Sequence, residues 1–360
     1  MRICPAALHR GHRPLTSFFC TRLLHVAMSS TCLIVDTDCG LDDLAALALA
    51  TATEAPIQLV TTVNGLAPPG YGHLVARRLL EAVGQSAVPV VAGAETPPAE
   101  VVRKKEGWEL MYTMRLATVL TEVGIEPVDE PVHIGDADTA ANAILDAARD
   151  SGGNATVLAL GALTNLAAAA ELHPDGFRRY LRRIVFIGDT DPSRRSYNVA
   201  LDPAAVRAVM RTGVEVVLIG QACYAPTDWV AELFSRSAEG DGDSGAGDQG
   251  DAEKRPDVCS QADAGAAARV LRGLGQNDPY SMSYDTLALL YHMQPDAFEL
   301  SVERHPVRVT CGTDWRFERC DASEMDGLVI EPSGVSLERY EAFLASAGAL
   351  AGRKVKAQVR

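Results

Sequence analysis

Nowhere in the 360 residues do two cysteines stand as Cys-x-x-Cys, and no His/Cys cluster has the spacing of zinc ligands. The eight cysteines, at positions 4, 20, 32, 39, 223, 259, 311 and 320, therefore read as reduced, mostly structural thiols. No stretch reaches the roughly 20 apolar residues needed to span a bilayer, which predicts no transmembrane helix and no membrane partner. Positive charge is scarce: 33 Lys and Arg stand against 47 Asp and Glu, giving a net charge of -14 and a pI near 5.0. A protein that tracks a nucleic-acid backbone needs a basic face to displace counterions, so nucleic acid is disfavoured as a partner and a small or neutral substrate fits better. Phosphate loops of the Gly-x-x-x-x-Gly-Lys-Ser/Thr type are missing, Gly70-Tyr-Gly72 and Gly152-Gly153 lack the spacing of a dinucleotide fingerprint, and there is no Gly-x-Ser-x-Gly elbow. His73, His133, His173, His292 and His305 are scattered singly and read as surface or satisfied core residues.

Residues 1–35 contain no Asp or Glu but carry Arg2, Arg10, Arg13 and Arg22, the composition of a mitochondrial transit peptide. The rival reading is a disordered leader with translation starting at Met28, so the location is cytoplasmic, or mitochondrial if residues 1–30 target the chain. Either way residues 1–30 stay outside the fold. Beyond them, short apolar runs alternate with Ala-rich helical stretches: Leu33-Ile34-Val35 before Leu44 to Ala50, Ile57 to Val63 before Tyr71 to Val83, then Val88 to Val91. Thr156 to Leu160, Ile184 to Ile187 and Glu215 to Ile219 continue the pattern, leading into helices from Leu163, Pro203 and Pro226. This alternation predicts an α/β fold, a mostly parallel, doubly wound (Rossmann-like) sheet with helices on both faces. Residues 237–262 are Gly-, Asp- and Ser-rich and read as a disordered acidic insertion, Glu95 to Lys105 as a surface loop, and residues 351–360 as a basic tail. The alternation runs across both insertions, so residues 31–350 are expected to form one decorated domain.

The densest chemistry lies in Val35-Asp36-Thr37-Asp38-Cys39-Gly40-Leu41-Asp42-Asp43. A strand over 33–38 would put Asp36 and Asp38 on one side at its carboxyl end, where open α/β sheets bind ligands. Gly40 is expected to permit the sharp turn, with Asp42 and Asp43 in the first turn of the following helix. Taken alone, Asp42 reads as an N-cap. Two unit charges about 4 Å apart repel by roughly 4 kcal/mol at an effective dielectric near 20, so four converging carboxylates require a cation or shared protons. All-oxygen ligands select calcium or magnesium.

At these residues the chain resembles the calcium-dependent, inosine-uridine preferring nucleoside hydrolases, whose signature Asp-x-Asp-Pro-Gly-x-Asp-Asp stands here with Cys39 in the proline's place. Thr61-Thr62-Val63-Asn64-Gly65, Val88 to Ala94, Leu158 to Ala167, Asn198 to Pro203 and Tyr284-Asp285-Thr-Leu-Ala are similar to family segments in the family's order. The resemblance implies an N-ribohydrolase acting in purine or pyrimidine salvage on a small-molecule nucleoside, with one Ca2+ per chain and assembly as a homodimer or homotetramer. Asp38 would be metal ligand and general base; Asp43, Asp285 and the Leu160 carbonyl would be further ligands; Asp42 and Asn198 would hold ribose; Asp36 would stand behind them. Tyr284 is placed either to protonate a leaving base or simply to pack, and Trp108 either to stack on a purine or to serve as a core or rim aromatic.

The departures concentrate at the sugar. Ser196 replaces a ribose-binding glutamate, Leu66 an asparagine, and Tyr284 a histidine, while the shortened segment Asp189 to Arg195 carries Asp189 where a glycine is expected. They open a second reading, a metal-binding but catalytically silent relative that binds a ribosylated ligand or serves structurally. A third, a phosphohydrolase of the haloacid dehalogenase type, shares the strand and Asp-x-Asp but lacks a lysine in register.

Overall fold

The computed structural model describes residues 32–94, 115–125, 135–191, 193, 196–239, 264–299, 304–311 and 315–350. The leader 1–30, the loop Glu95 to Lys105, Trp108, His133 and the tail 351–360 lie outside them. Six strands alternate with helices as the sequence predicts: β1 (Cys32–Thr37), α1 (Leu41–Ala52), β2 (Ile57–Thr62), α2 (Pro69–Ala82), β3 (Val90–Ala92), α3 (115–122), α4 (Ala137–Asp150), β4 (Ala155–Ala159), α5 (Thr164–Leu172), α6 (Pro174–Tyr180), β5 (Leu181–Ile187), α7 (Tyr197–Leu201), α8 (Pro203–Met210) and β6 (Glu215–Ile219). Then follow α9 (Thr227–Glu239), α10 (Ala264–Asn277), α11 (Thr286–Met293), β7 (His305–Thr310), β8 (Arg316–Arg319), β9 (Gly327–Ile330) and α12 (Leu337–Ser346).

The strands form a single sheet in the order β3-β2-β1-β4-β5-β6-β9-β7-β8. Every pair from β3 to β9 is parallel, and β7 pairs antiparallel with both β8 and β9. Every residue of β1 and β4 is buried, as expected of strands covered on both faces. Their period of two sends Leu33, Val35, Leu158 and Leu160 into one core cluster and Ile34, Val157 and Ala159 into the other. The chain runs outward from β1 to β3 and then returns to the opposite side of β1 as β4. This reversal opens a crevice at the carboxyl ends of β1 and β4, the position where doubly wound sheets bind ligands.

One bound differs from expectation: α9 continues through Glu239, into the start of the segment that composition set apart from residue 237. The antiparallel arm β7–β9 carries no strand-helix alternation, so the pattern that found the parallel strands could not find it. Its inward residues Val307, Val309, Phe317 and Val329 complete the second core cluster.

Phe186 is fully buried in β5 within that cluster. Phe186→Ala should lower unfolding free energy by about 3–5 kcal/mol, read as a fall in the denaturant midpoint with unchanged slope.

Candidate active site and metal centre

The turn that closes β1 is built by its own carboxylate. Asp43 Oδ2 accepts from the Gly40 amide at 3.0 Å, which makes Asp43 the N3 arm of a capping box for α1. Its Oδ1 accepts from the Thr37 hydroxyl and from the Asp38 amide at 3.2 Å. The N-cap is Gly40, so the capping expected of Asp42 falls to Asp43, and Asp42 is left facing the crevice. The sharp turn also differs from expectation: Cys39, not Gly40, takes the left-handed conformation, at φ 58°. A proline ring, fixed near -65°, cannot sit there, so the turn around Cys39 is shaped differently from one built on proline. Gly40 is required for space instead, since a Cβ would lie 2.5 Å from Asp42 Oδ1 and 2.7 Å from the Leu66 side chain.

Asp38 lies just beyond the strand, clamped between two backbones. A Cβ on Gly65 would come within 2.0 Å of Asp38 Oδ2, and one on Gly161 within 3.0 Å of Asp38 Cβ. Its Oδ2 accepts from the Leu66 amide at 3.0 Å. Asp36 points to the α5 side, where its Oδ1 accepts from the Thr61 hydroxyl at 2.6 Å and the Asn165 amide at 2.8 Å. Asn165 also bonds the Thr62 carbonyl (3.1 Å) and the Ala94 amide (3.0 Å), which ties β1, β2, the end of β3 and α5 into one brace. Sequence reasoning missed Asn165. A buried asparagine at the start of α5, directly beyond a strand end, was the available signal.

Asp285 enters from 247 residues away in sequence as the residue preceding α11, so its carboxyl sits at a helix N-terminus. Asp42, Asp43 and Asp285 each place an oxygen within 4.8 Å of the others, a set able to hold a metal ion. Asp38 joins through Asp43, with which it shares a hydrogen bond. The Leu160 carbonyl stands at the end of β4 and accepts from Asn198 Nδ2 at 2.6 Å, so Asn198 meets the site through a proposed ligand. Tyr284 stacks edge-on against Tyr224, centroids 4.4 Å apart, and Tyr280 lies 4.4 Å from Tyr284 on the other side. Neither Tyr224 nor Tyr280 belongs to a sequence motif. A surface groove of about 600 Å3 between α5 and α8, lined by Thr164, Ala167, Ala168 and Asp202, contains none of the four carboxyls.

Burial dominates the electrostatics. It pushes Asp36 up from an ordinary 3.8 to about 7, and Asp42, with the Asp43 charge adding to it, to about 8. Asp38 and Asp285 are raised for the same reason, and Asp43 is raised despite the hydrogen bonds it accepts. The cluster therefore holds protons at neutral pH that free aspartates would release.

The family model for inosine-uridine preferring nucleoside hydrolases matches residues 33–329. The chain belongs to this family. Among its relatives, the non-specific ribonucleoside hydrolase RihC of Escherichia coli (strain SMS-3-5 / SECEC) is 30% identical over 212 residues, 56% of this chain and 66% of that one. RihC of Klebsiella pneumoniae subsp. pneumoniae is 32% identical over 196 residues, 52% of this chain and 60% of that one. The chain thus spans less than two thirds of the length of these curated relatives. The fold matches the crystal structure of an inosine-uridine preferring nucleoside hydrolase from Bacillus anthracis, with TM-score 0.62 at 16% identity over 89% of this chain and 99% of that one. An inosine-guanosine nucleoside hydrolase gives TM-score 0.61 at 20% identity over the same shares. Membership in this family removes the phosphohydrolase alternative.

Two outcomes are expected of this family member. Because Asp36 and Asp42 titrate higher in the folded chain (about 7 and 8) than at their ordinary 3.8, the folded state holds more protons across that window, and stability falls as pH rises from about 4 to 8. With chelator, the thermal midpoint should drop between pH 5 and pH 8, and an added divalent cation should raise it more at pH 8 than at pH 5. A midpoint equally insensitive to pH and to divalent cations would remove the electrostatic account. Gly65→Ala should expel the Asp38 carboxylate, destabilise by about 1–3 kcal/mol and weaken the cation-dependent rise in midpoint.

Proposed function

We propose that this chain hydrolyses the N-glycosidic bond of a ribonucleoside or ribonucleoside-like substrate, using one calcium ion and Asp38 as general base. The observation that carries the reading is the convergence of the carboxyls of Asp38, Asp42, Asp43 and Asp285 at the β1–β4 crevice of a chain in the nucleoside hydrolase family. The donor set fits a hard divalent cation: it is all oxygen and desolvated, and among the described residues no Lys or Arg forms an ion pair with these four carboxyls. Asp38, Asp43, Asp285 and the Leu160 carbonyl would hold the ion, which when bound acidifies and orients the attacking water and offsets the carboxylate repulsion. The chain's own groups do the rest. Asp38 takes the proton of the water whose oxygen bonds to the anomeric carbon; the C–N bond breaks, its electron pair stays on the base, and the base acquires a proton. Asp42 accepts hydrogen bonds from sugar hydroxyls, and Asn198, its Nδ2 held by Leu160, presents its Oδ1 to the sugar. Buried carboxylates stabilise the oxocarbenium-like transition state. Tyr284 stands beside Asp285 against Tyr224 and Tyr280, where it either donates to the leaving base or packs; burial and the contact with Tyr280 make its phenol a weaker acid and favour packing. Assembly as a homodimer or homotetramer belongs to the same proposal.

A metal-binding but silent relative is the second reading, and the Leu66 side chain packed where a Cβ of Gly40 would be favours it, because it makes that wall of the sugar end apolar. A panel of purine and pyrimidine nucleosides assayed with calcium and with chelator separates the two. Release of base and ribose that stops on chelation supports hydrolysis; a calcium-loaded protein that releases none from any nucleoside supports the silent reading. Asp38→Asn should lower turnover roughly 100- to 10,000-fold while keeping much of the bound calcium, and undiminished turnover would dismiss Asp38 as the base.

A further inference from the structure

The sugar end, stripped of a glutamate at Ser196 and an asparagine at Leu66, is faced by a residue that no motif contains. Tyr224 follows the turn Gln221–Cys223 at the carboxyl end of β6, on the crevice side of the sheet. Three contacts fix that turn. The Gln221 amide donates to Asp189 Oδ2 at 3.0 Å, the Cys223 thiol to the Pro332 carbonyl at 3.3 Å, and the Tyr224 amide to the Gln221 carbonyl at 3.2 Å. Asp189, the unexpected aspartate after β5, thereby anchors the turn that delivers Tyr224. A Cβ on Gly220 would lie 3.0 Å from Asp189 Oδ2, so the strand end is shaped for this anchor.

The ring is fixed as well, lying edge-on to Tyr284 at an interplanar angle of 80°, and Tyr284 immediately precedes Asp285. Burial and the charges of Asp285, Asp189 and Asp42 keep the phenol protonated, which leaves its hydroxyl a neutral donor among carboxyls. No described residue hydrogen-bonds that hydroxyl. A positioned donor within reach of the charges of Asp42 and Asp285, without an acceptor among the described residues, suits a ligand that carries hydroxyl oxygens to the same carboxyls.

The geometry points to Tyr224 as a substrate-contacting, specificity-determining residue whose hydroxyl donates to a sugar hydroxyl oxygen of the substrate, taking up part of the recognition lost at Ser196 and Leu66. The inference rests on the ribonucleoside reading of the site. It makes the preferred ligand a polyhydroxylated sugar carrying an aromatic base, with the sugar hydroxyl held between Tyr224 and the acid cluster.

The test is Tyr224→Phe, which keeps the ring and removes only the hydroxyl. The calcium-loaded wild type and variant are titrated calorimetrically with a carbon-linked ribonucleoside, which cannot be hydrolysed, and with its 2′-deoxy and 3′-deoxy analogues. The variant should bind the ribonucleoside about fivefold to tenfold more weakly, as expected for one lost neutral hydrogen bond. Wild type should lose a similar factor for one of the two deoxy analogues, while the variant should be indifferent to that same deletion. An unchanged thermal midpoint of the variant establishes that the fold is intact. Equal weakening across all three ligands, no weakening at all, or no binding of the probe by wild type would overturn the assignment. Hydrolysis of ordinary ribonucleosides by wild type is measured alongside. Its absence with the hydroxyl-dependent pattern intact removes the hydrolase reading and leaves Tyr224 in place; its presence with equal losses does the reverse.

Discussion

Like charges brought together out of water dominate this structure. Asp42, Asp43 and Asp285 present oxygens within 4.8 Å of one another, Asp38 hydrogen-bonds to Asp43, and burial raises all four. At about 4 Å and an effective dielectric near 20, each fully ionised pair would repel by roughly 4 kcal/mol, more than half of the smallest stabilities common among folded domains. The surroundings are organised to hold the groups in place despite this. Thr37, the Gly40 amide and the Asp38 amide satisfy Asp43, while Gly65 and Gly161 leave the space that a side chain would take from Asp38.

Topology supplies the place for such an arrangement. β1 and β4 are sequentially distant but adjacent in the sheet, and the chain turns to opposite sides as it leaves them, so their carboxyl ends are not closed over by one connection. Asp36 secures the floor. It keeps its place in β1 and is bound on the α5 side by Thr61 and Asn165, whereas Asp38 lies past the end of the strand and departs from the side that the strand's alternation would give it. Asn165 then reaches the Thr62 carbonyl and the Ala94 amide, so the ends of β1 and β2 and the residue after β3 are tied to the helix that follows β4.

The opposite wall is apolar and aromatic. The Leu66 side chain packs against Gly40 while its amide holds Asp38, so the acid is fixed by that residue's backbone and not by its side chain. Tyr224, Tyr280 and Tyr284 form a contiguous aromatic wall beside Asp285. Offset and edge-on ring contacts of this kind contribute about 0.5–1.5 kcal/mol each beyond burial, enough to fix ring orientation before any ligand arrives.

The parallel strands were legible in the sequence because strands covered on both faces carry continuous apolar runs, and Leu33 to Val35, Val157 to Leu160 and Val216 to Ile219 are such runs. The aspartate cluster was legible too, since four carboxyls in eight residues exceed what capping requires. Other features were not. Period and composition do not say that Cys39 takes the positive φ, that Asp43 caps in place of Asp42, or that Asn198 reaches the site through the Leu160 carbonyl. Those outcomes depend on which backbone groups face one another after folding. Local sequence by itself determined that charge would gather at the end of the first strand, because the aspartates there are covalently neighbours. Only the tertiary structure decided what completes and surrounds that charge: Asp285, Asn165, Asp189 and Tyr224 are brought to it by the strand order, across separations at which no local pattern can act.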